Sequence, residues 1–166
     1  MLKYASWVHG NAVALESPNN ILLRRWGSGT EMQFTFAPGV SPPGTWCHIG
    51  IPTPVIVDGA RTKVQTLFLL FKTGQHAAID NVHIFDGPNK IAGWDVIAGR
   101  NYAARRTGDH SRSIDAQNTF TLPAPREVSF GLSISFTFRP VALNTSLPAV
   151  DPEGTLLITT AGADFF

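Results

Sequence analysis

The run Val128 to Phe138, V-S-F-G-L-S-I-S-F-T-F, limits the fold more than any other stretch. Val128, Phe130, Leu132, Ile134, Phe136 and Phe138 fall on one side of an extended chain. Ser129, Gly131, Ser133, Ser135 and Thr137 fall on the other. Period two sustained over the run is the mark of a strand with one buried face; a helix would scatter the same side chains around its axis. The strand therefore needs an opposing apolar layer, and the Met32/Phe34/Phe36 and Leu67/Leu69/Phe71 faces are the candidates.

The chain is long enough, at 166 residues, for one domain spanning 1–166 with a real core, and two domains would be cramped. Only 15% of residues are charged, against 43% hydrophobic, which excludes a disordered chain. A net charge of +1 supplies no field to gather nucleic acid or an anionic membrane. Fifteen Gly, 12 Pro and 11 Phe suit short strands and tight turns. Cys47 is the single cysteine, so no internal disulfide forms and a reducing compartment fits. The first ten residues carry no signal-peptide pattern, and the apolar run Leu67 to Phe71 is far too short to span a bilayer. The expectation is a cytoplasmic protein without membrane insertion, with a non-classical export route left open.

Strands are expected at Trp7 to Glu16, Ile21 to Trp26, Glu31 to Ala37, Trp46 to Ile51, Lys63 to Lys72, Ala77 to Asp86, Ile91 to Ile97, Asn118 to Leu122, Val128 to Phe138 and Thr155 to Thr160. Gly27-Ser28-Gly29 reads as a hairpin turn, and Val55 to Val57 runs into a turn at Asp58-Gly59. The Leu67 to Phe71 run is apolar on both sides, which places its strand centrally in a sheet. Gly99 to Gln117 reads as a long excursion with one helical turn at Tyr102 to Arg106, and Pro148 to Gly154 as a turn. The predicted architecture is all-β: an antiparallel β-sandwich or jelly roll of about 8–10 strands.

Standard catalytic signatures are missing: no phosphate-binding Gly-rich loop with Lys, no G-x-S-x-G and no H-E-x-x-H. His48 and His83 lie in expected strands. If those strands are neighbours, the two rings would form an acid–base or metal site, with Asp86 or Asp109 assisting. The plainer reading makes each ring half-buried and hydrogen-bonded to backbone, and no metal or cofactor is expected. Cys47 shares a face with Ile49 and Ile51, so a buried, inert thiol outweighs a nucleophile. Arginines of the excursion, Arg105 among them, would suit a phosphate or carboxylate, or simply solvate a loop. Trp7, Trp26, Trp46 and Trp94 would make a stacking platform or pack as core and rim.

Three stretches carry a family resemblance: Trp7-Val8-His9-Gly10-Asn11-Ala12, Trp46-Cys47-His48-Ile49-Gly50-Ile51-Pro52-Thr53-Pro54, and Ala161-Gly162-Ala163-Asp164-Phe165. Together they resemble a family of small bacterial proteins grouped as a domain of unknown function. The resemblance implies a β-sandwich and no activity, cofactor or catalytic residue. It also implies that the His9 and His48 neighbourhoods serve either turn geometry or a site.

The leading expectation is a non-catalytic β-sandwich that acts by binding a small ligand, glycan or protein, or by self-association. His9, Trp46, His48, Arg105 and His110 are its candidate contacts. Two alternatives stand beside it. One is a cofactor-independent isomerase or cyclase with an apolar pocket and His48, His83 and Asp86 as acid–base groups. The other is a lectin-like sugar binder.

Overall fold

The computed structural model describes all 166 residues, as fifteen strands and one short 3-10 turn. The strands are β1 (Tyr4–His9), β2 (Ala14–Leu15), β3 (Ile21–Trp26), β4 (Gly29–Thr35) and β5 (Thr45–Ile51). A small hairpin follows, β6 (Ile56–Val57) and β7 (Ala60–Arg61), and then β8 (Lys63–Thr73), β9 (Ala77–Ala78), β10 (Asn81–Asp86) and β11 (Asn89–Asp95). The remainder are β12 (Asp109–His110), β13 (Thr119–Glu127), β14 (Leu132–Pro140) and β15 (Val150–Phe165). Five of the fifteen are two-residue pieces, leaving ten of six residues or more. No helix is long and apolar enough to cross a membrane.

Two antiparallel sheets face each other. The seven-stranded sheet runs β12-β8-β15-β4-β3, with β1 beside β15 and β13 beside β8; the six-stranded sheet runs β11-β10-β14-β5-β2, with β9 beside β14. Alternation along each strand sends one set of side chains inward. Met32, Phe34, Leu67, Leu69, Phe71, Leu156 and Ile158 come from one sheet, and Cys47, Ile49, Val82, Ile84, Ile134, Phe136 and Phe138 from the other, into one core. Phe34 and Phe138 stack across the gap with centroids 3.9 Å apart, and Cys47 Sγ lies 3.7 Å from Met32 Sδ. Each such buried side chain contributes roughly 2 kcal/mol of apolar transfer. Burial, and secondarily the Glu16 charge, push the Cys47 thiol up to about 12, so it holds its proton and packs as a small apolar group. The Leu67 to Phe71 run is covered on both faces, with β15 on one flank of β8 and β12 and β13 on the other.

The Val128 run is shorter as a strand than its pattern suggests. Pairing starts at Leu132, because the Asp86 carboxylate gathers the amides of Ser129, Phe130 and Gly131 and curls the chain around itself. Val128 is buried, but Phe130 is 67% exposed. Phe130→Ser should therefore change stability by less than about 0.5 kcal/mol, whereas Val128→Ala should cost at least about 1.5 kcal/mol. Urea melts of the two variants check the contrast.

Other boundaries move for local reasons. Trp7 to Glu16 is two strands in different sheets, joined by the 3-10 turn Gly10–Ala12. His9 fixes that crossing: its Nδ1 accepts the Asn11 amide at 3.2 Å and its Nε2–H donates to the Gly27 carbonyl at 3.0 Å. Asn118 to Leu122 extends to Glu127, with Pro123 and Pro125 at a register shift where no ladder bond is needed. The excursion holds no helical turn at Tyr102 to Arg106. It is stitched down instead by an Ile79–Arg106 bridge and by the pairing of β12 with β8. Val150 to Gly154, expected in a turn, opens the longest strand, and Thr155 to Thr160 is only its middle. Asp58 and Gly59 turn the β6–β7 hairpin with φ of 51° and 75°.

Candidate functional site

Strand β14 is the centre of the six-stranded sheet, and its inner face is apolar, so its alternate residues must point out. Ser135 stands opposite His48 of β5 on one side and His83 of β10 on the other. One row across three strands thus reads His48–Ser135–His83 on the outer face. On this face Ser135 is 5% exposed and Thr137 is fully buried, while Ser133 is half-buried and Ser129 exposed.

Glu16, just past β2, is carried to the row because Ala14 pairs with His48. His48 Nδ1 is 2.8 Å from Ser135 Oγ, and its Nε2 is 2.9 Å from Glu16 Oε1. His83 Nε2 is 2.6 Å from Asp95 Oδ1, which also accepts from Asn81 Nδ2 at 2.9 Å. Lys90 Nζ lies 3.0 Å from His83 Nε2 and 3.7 Å from Asp95 Oδ2. Burial raises the Asp95 carboxyl. The hydrogen bonds from Asn81 and His83 and the charges of His83 and Lys90 outweigh that and hold it below the usual range. Each imidazole is therefore held in orientation by its own carboxylate.

Aromatic rings wall the row. The Trp46 indole lies against His83 with centroids 4.8 Å apart and planes at 42°, and Phe85 lies 6.4 Å beyond. Together Glu16, Trp46, His48, His83, Phe85 and Ser135 line an open cleft of about 150 Å³. Gly50, the neighbour of Ser133 in register, leaves open space at one end. No group of three or more His, Cys, Asp or Glu side chains is arranged to hold a metal ion.

The other sequence candidates lie elsewhere. Asp86 points to the inner side of β10, where three amides hold it, so it cannot serve His48 and His83. Arg105 makes a two-pronged bond to Asp80 at 2.7 and 2.8 Å and covers the Tyr102 ring, anchoring the excursion. His110 is fixed by Asp115 at 2.7 Å and by the Thr107 carbonyl at 3.0 Å, against Phe71. Asp109 bonds Ser111 and faces Lys72 at 3.6 Å. His9 is the turn residue described above. The tryptophans do not gather: Trp7 stacks on Phe68 on the opposite sheet, Trp94 meets Phe120 edge-on, and Trp26 sits at the β3–β4 turn. Sequence reasoning missed Glu16, Phe85, Asp95 and Ser135. Of these, Phe85 was legible, since a residue two from His83 shares its face.

A family model described as a family of unknown function, DUF6623, matches residues 1–139. The chain belongs to this family. The matched span takes in every residue of the cleft and ends before β15. No curated protein matches the sequence.

Proposed function

We propose that the protein acts by binding one small ligand in the outer-face cleft of the six-stranded sheet. The observation that carries this reading is the convergence of two oriented imidazoles, a serine and two aromatic walls on one opening. The rest of the candidate polar groups are tied into turns and loops. The cleft is small against the surface that a stable dimer buries, which favours a small molecule over a second copy. The single buried thiol suits a reducing compartment, and we place the protein in the cytoplasm.

The test is a small-molecule screen read by NMR. Bound ligand should shift the Trp46 indole and the His48 and His83 ring signals. Trp46→Ala should abolish those shifts, and Trp7→Ala, on the other sheet, should leave them intact. Hits that survive Trp46→Ala, or that map to the Trp7 face, would refute the assignment.

A second reading rests on a separate observation, the carboxylate behind each imidazole. Such pairs suit proton removal and return, as in an isomerase or cyclase, with the histidines on strands flanking β14. A bound ligand that gains deuterium from solvent with wild type, but not with His48→Gln or His83→Gln, would support catalysis. Exchange at the uncatalysed rate would leave binding alone.

A further inference from the structure

The proton inventory of the cleft, taken with its aromatic walls, restricts what can occupy it. Glu16 is a carboxylate and can only accept, so the His48 nitrogen facing it, Nε2, carries the proton. His48 Nδ1 is then a lone pair, and Ser135 donates its one hydroxyl proton to it across 2.8 Å. Ser135 Oγ keeps only lone pairs for the cleft. His83 Nε2 sits between the Asp95 carboxylate at 2.6 Å and the Lys90 ammonium at 3.0 Å, so its ring is occupied by that pair and adds no fixed acceptor to the cleft. On β14 the main-chain amides are taken up by the ladders to β5 and β10, so they add no donor. The cation nearby, Lys90, is occupied by His83 Nε2 at 3.0 Å and Asp95 Oδ2 at 3.7 Å and does not itself line the cleft.

The lining therefore offers two acceptors, Ser135 Oγ and the free oxygen of Glu16, the second of them charged. An anion would meet the Glu16 charge, with Lys90 already paired to Asp95 and His83. An apolar guest would strand the acceptors. The matching guest brings several hydroxyl protons on its edge, an apolar face for the rings and no negative charge. From this we infer that the ligand is a neutral polyhydroxylated ring, a pyranoside or cyclitol. It would lie with its C–H face against Trp46 and Phe85 and its hydroxyls on the His48–Ser135–His83 row. This inference rests on the binding reading above and gives that reading its chemical class.

The experiment titrates the full-length protein with neutral methyl glycosides of several configurations and with myo-inositol. Glucuronate and choline serve as the anionic and cationic counterparts. Binding is followed by indole fluorescence and by the His48 and His83 ring signals. At least one neutral compound should bind in the cleft, with glucuronate and choline about tenfold weaker or worse. Glu16→Gln, an exposed substitution that turns an acceptor into a donor, should weaken the neutral ligand several-fold while the circular dichroism spectrum stays unchanged. Comparable or tighter binding of glucuronate or choline in the cleft would overturn the class and leave the binding reading standing. So would an apolar fragment binding where no glycoside does, or undiminished affinity in Glu16→Gln. Silence of the Trp46, His48 and His83 signals toward every compound would overturn both.

Discussion

Asp86→Ala should cost about 3–5 kcal/mol of stability, among the largest single effects expected in this fold. The carboxylate is 6% exposed and accepts three consecutive amides, Ser129 at 2.7 Å, Phe130 at 2.8 Å and Gly131 at 3.0 Å. Alanine leaves these donors without partners at the point where the chain enters β14. Hydrogen bonds to a charged group are worth about 1.5–3 kcal/mol each, and solvent reaching an opened turn recovers part of the sum. Burial pushes the Asp86 carboxyl up, but the three amides and the Arg61 charge pull it net below its ordinary value. A depressed carboxyl stabilises the fold fully above its unfolded pKa of about 3.9, and that contribution fades as pH falls through the lower folded value. The gap between wild type and Asp86→Asn should accordingly be wide at neutral pH and narrow in acid. Urea melts at both conditions decide it, and a neutral-pH loss under about 1 kcal/mol in Asp86→Ala would contradict the account.

Gly10→Ala and Gly29→Ala should each be as damaging. A Cβ at either position would run into the backbone carbonyl of Ile158, far inside contact distance. Gly29 also holds φ at +143°, where a side chain is strained whatever the room. Overpacking against backbone and a strained φ together put the loss at roughly 3 kcal/mol or more. Ile158 sits at a register shift in β15, where the crossing turn Gly10–Ala12 and the start of β4 press on one peptide. Because both clashes fall on that one peptide, Gly10→Ala/Gly29→Ala should lose less than the sum of the singles. Thermal melts of the three variants give the comparison, and strict additivity would show that the two clashes are independent.

How much could be read from the chain differs by element, for physical reasons. The Leu67 to Phe71 run and the stretch from Leu132 to Phe138 declare themselves because burial on a pleated sheet leaves a periodic trace. Val128 to Gly131 kept the same period yet left the sheet, since a carboxylate distant in sequence redirects the amides there. β15 was underestimated because Pro152, Gly154 and the Ala161-Gly162-Ala163 segment are poor strand formers. Gly162 is there for room, because a Cβ would sit 2.5 Å from the Trp7 ring. In the cleft, the outward parity of His48 and Trp46 against Cys47 was legible. Grouping Asp86 with His83 broke the same rule, since residues three apart on a strand face opposite ways. Ser135 was hidden for another reason: its place between the histidines depends on register between strands far apart in the chain, which no local pattern encodes.

Strand β15 lies between β8 on one flank and β4 and β1 on the other, and it follows all three of them in the chain. Until it arrives, β1 has no partner strand and β8 and β4 each lack one flank, so unpaired peptide groups stand open to any extended neighbour. Nascent chains that have not yet reached β15 should thus be sticky, and closure should be slow, since its contacts join distant parts of the sequence.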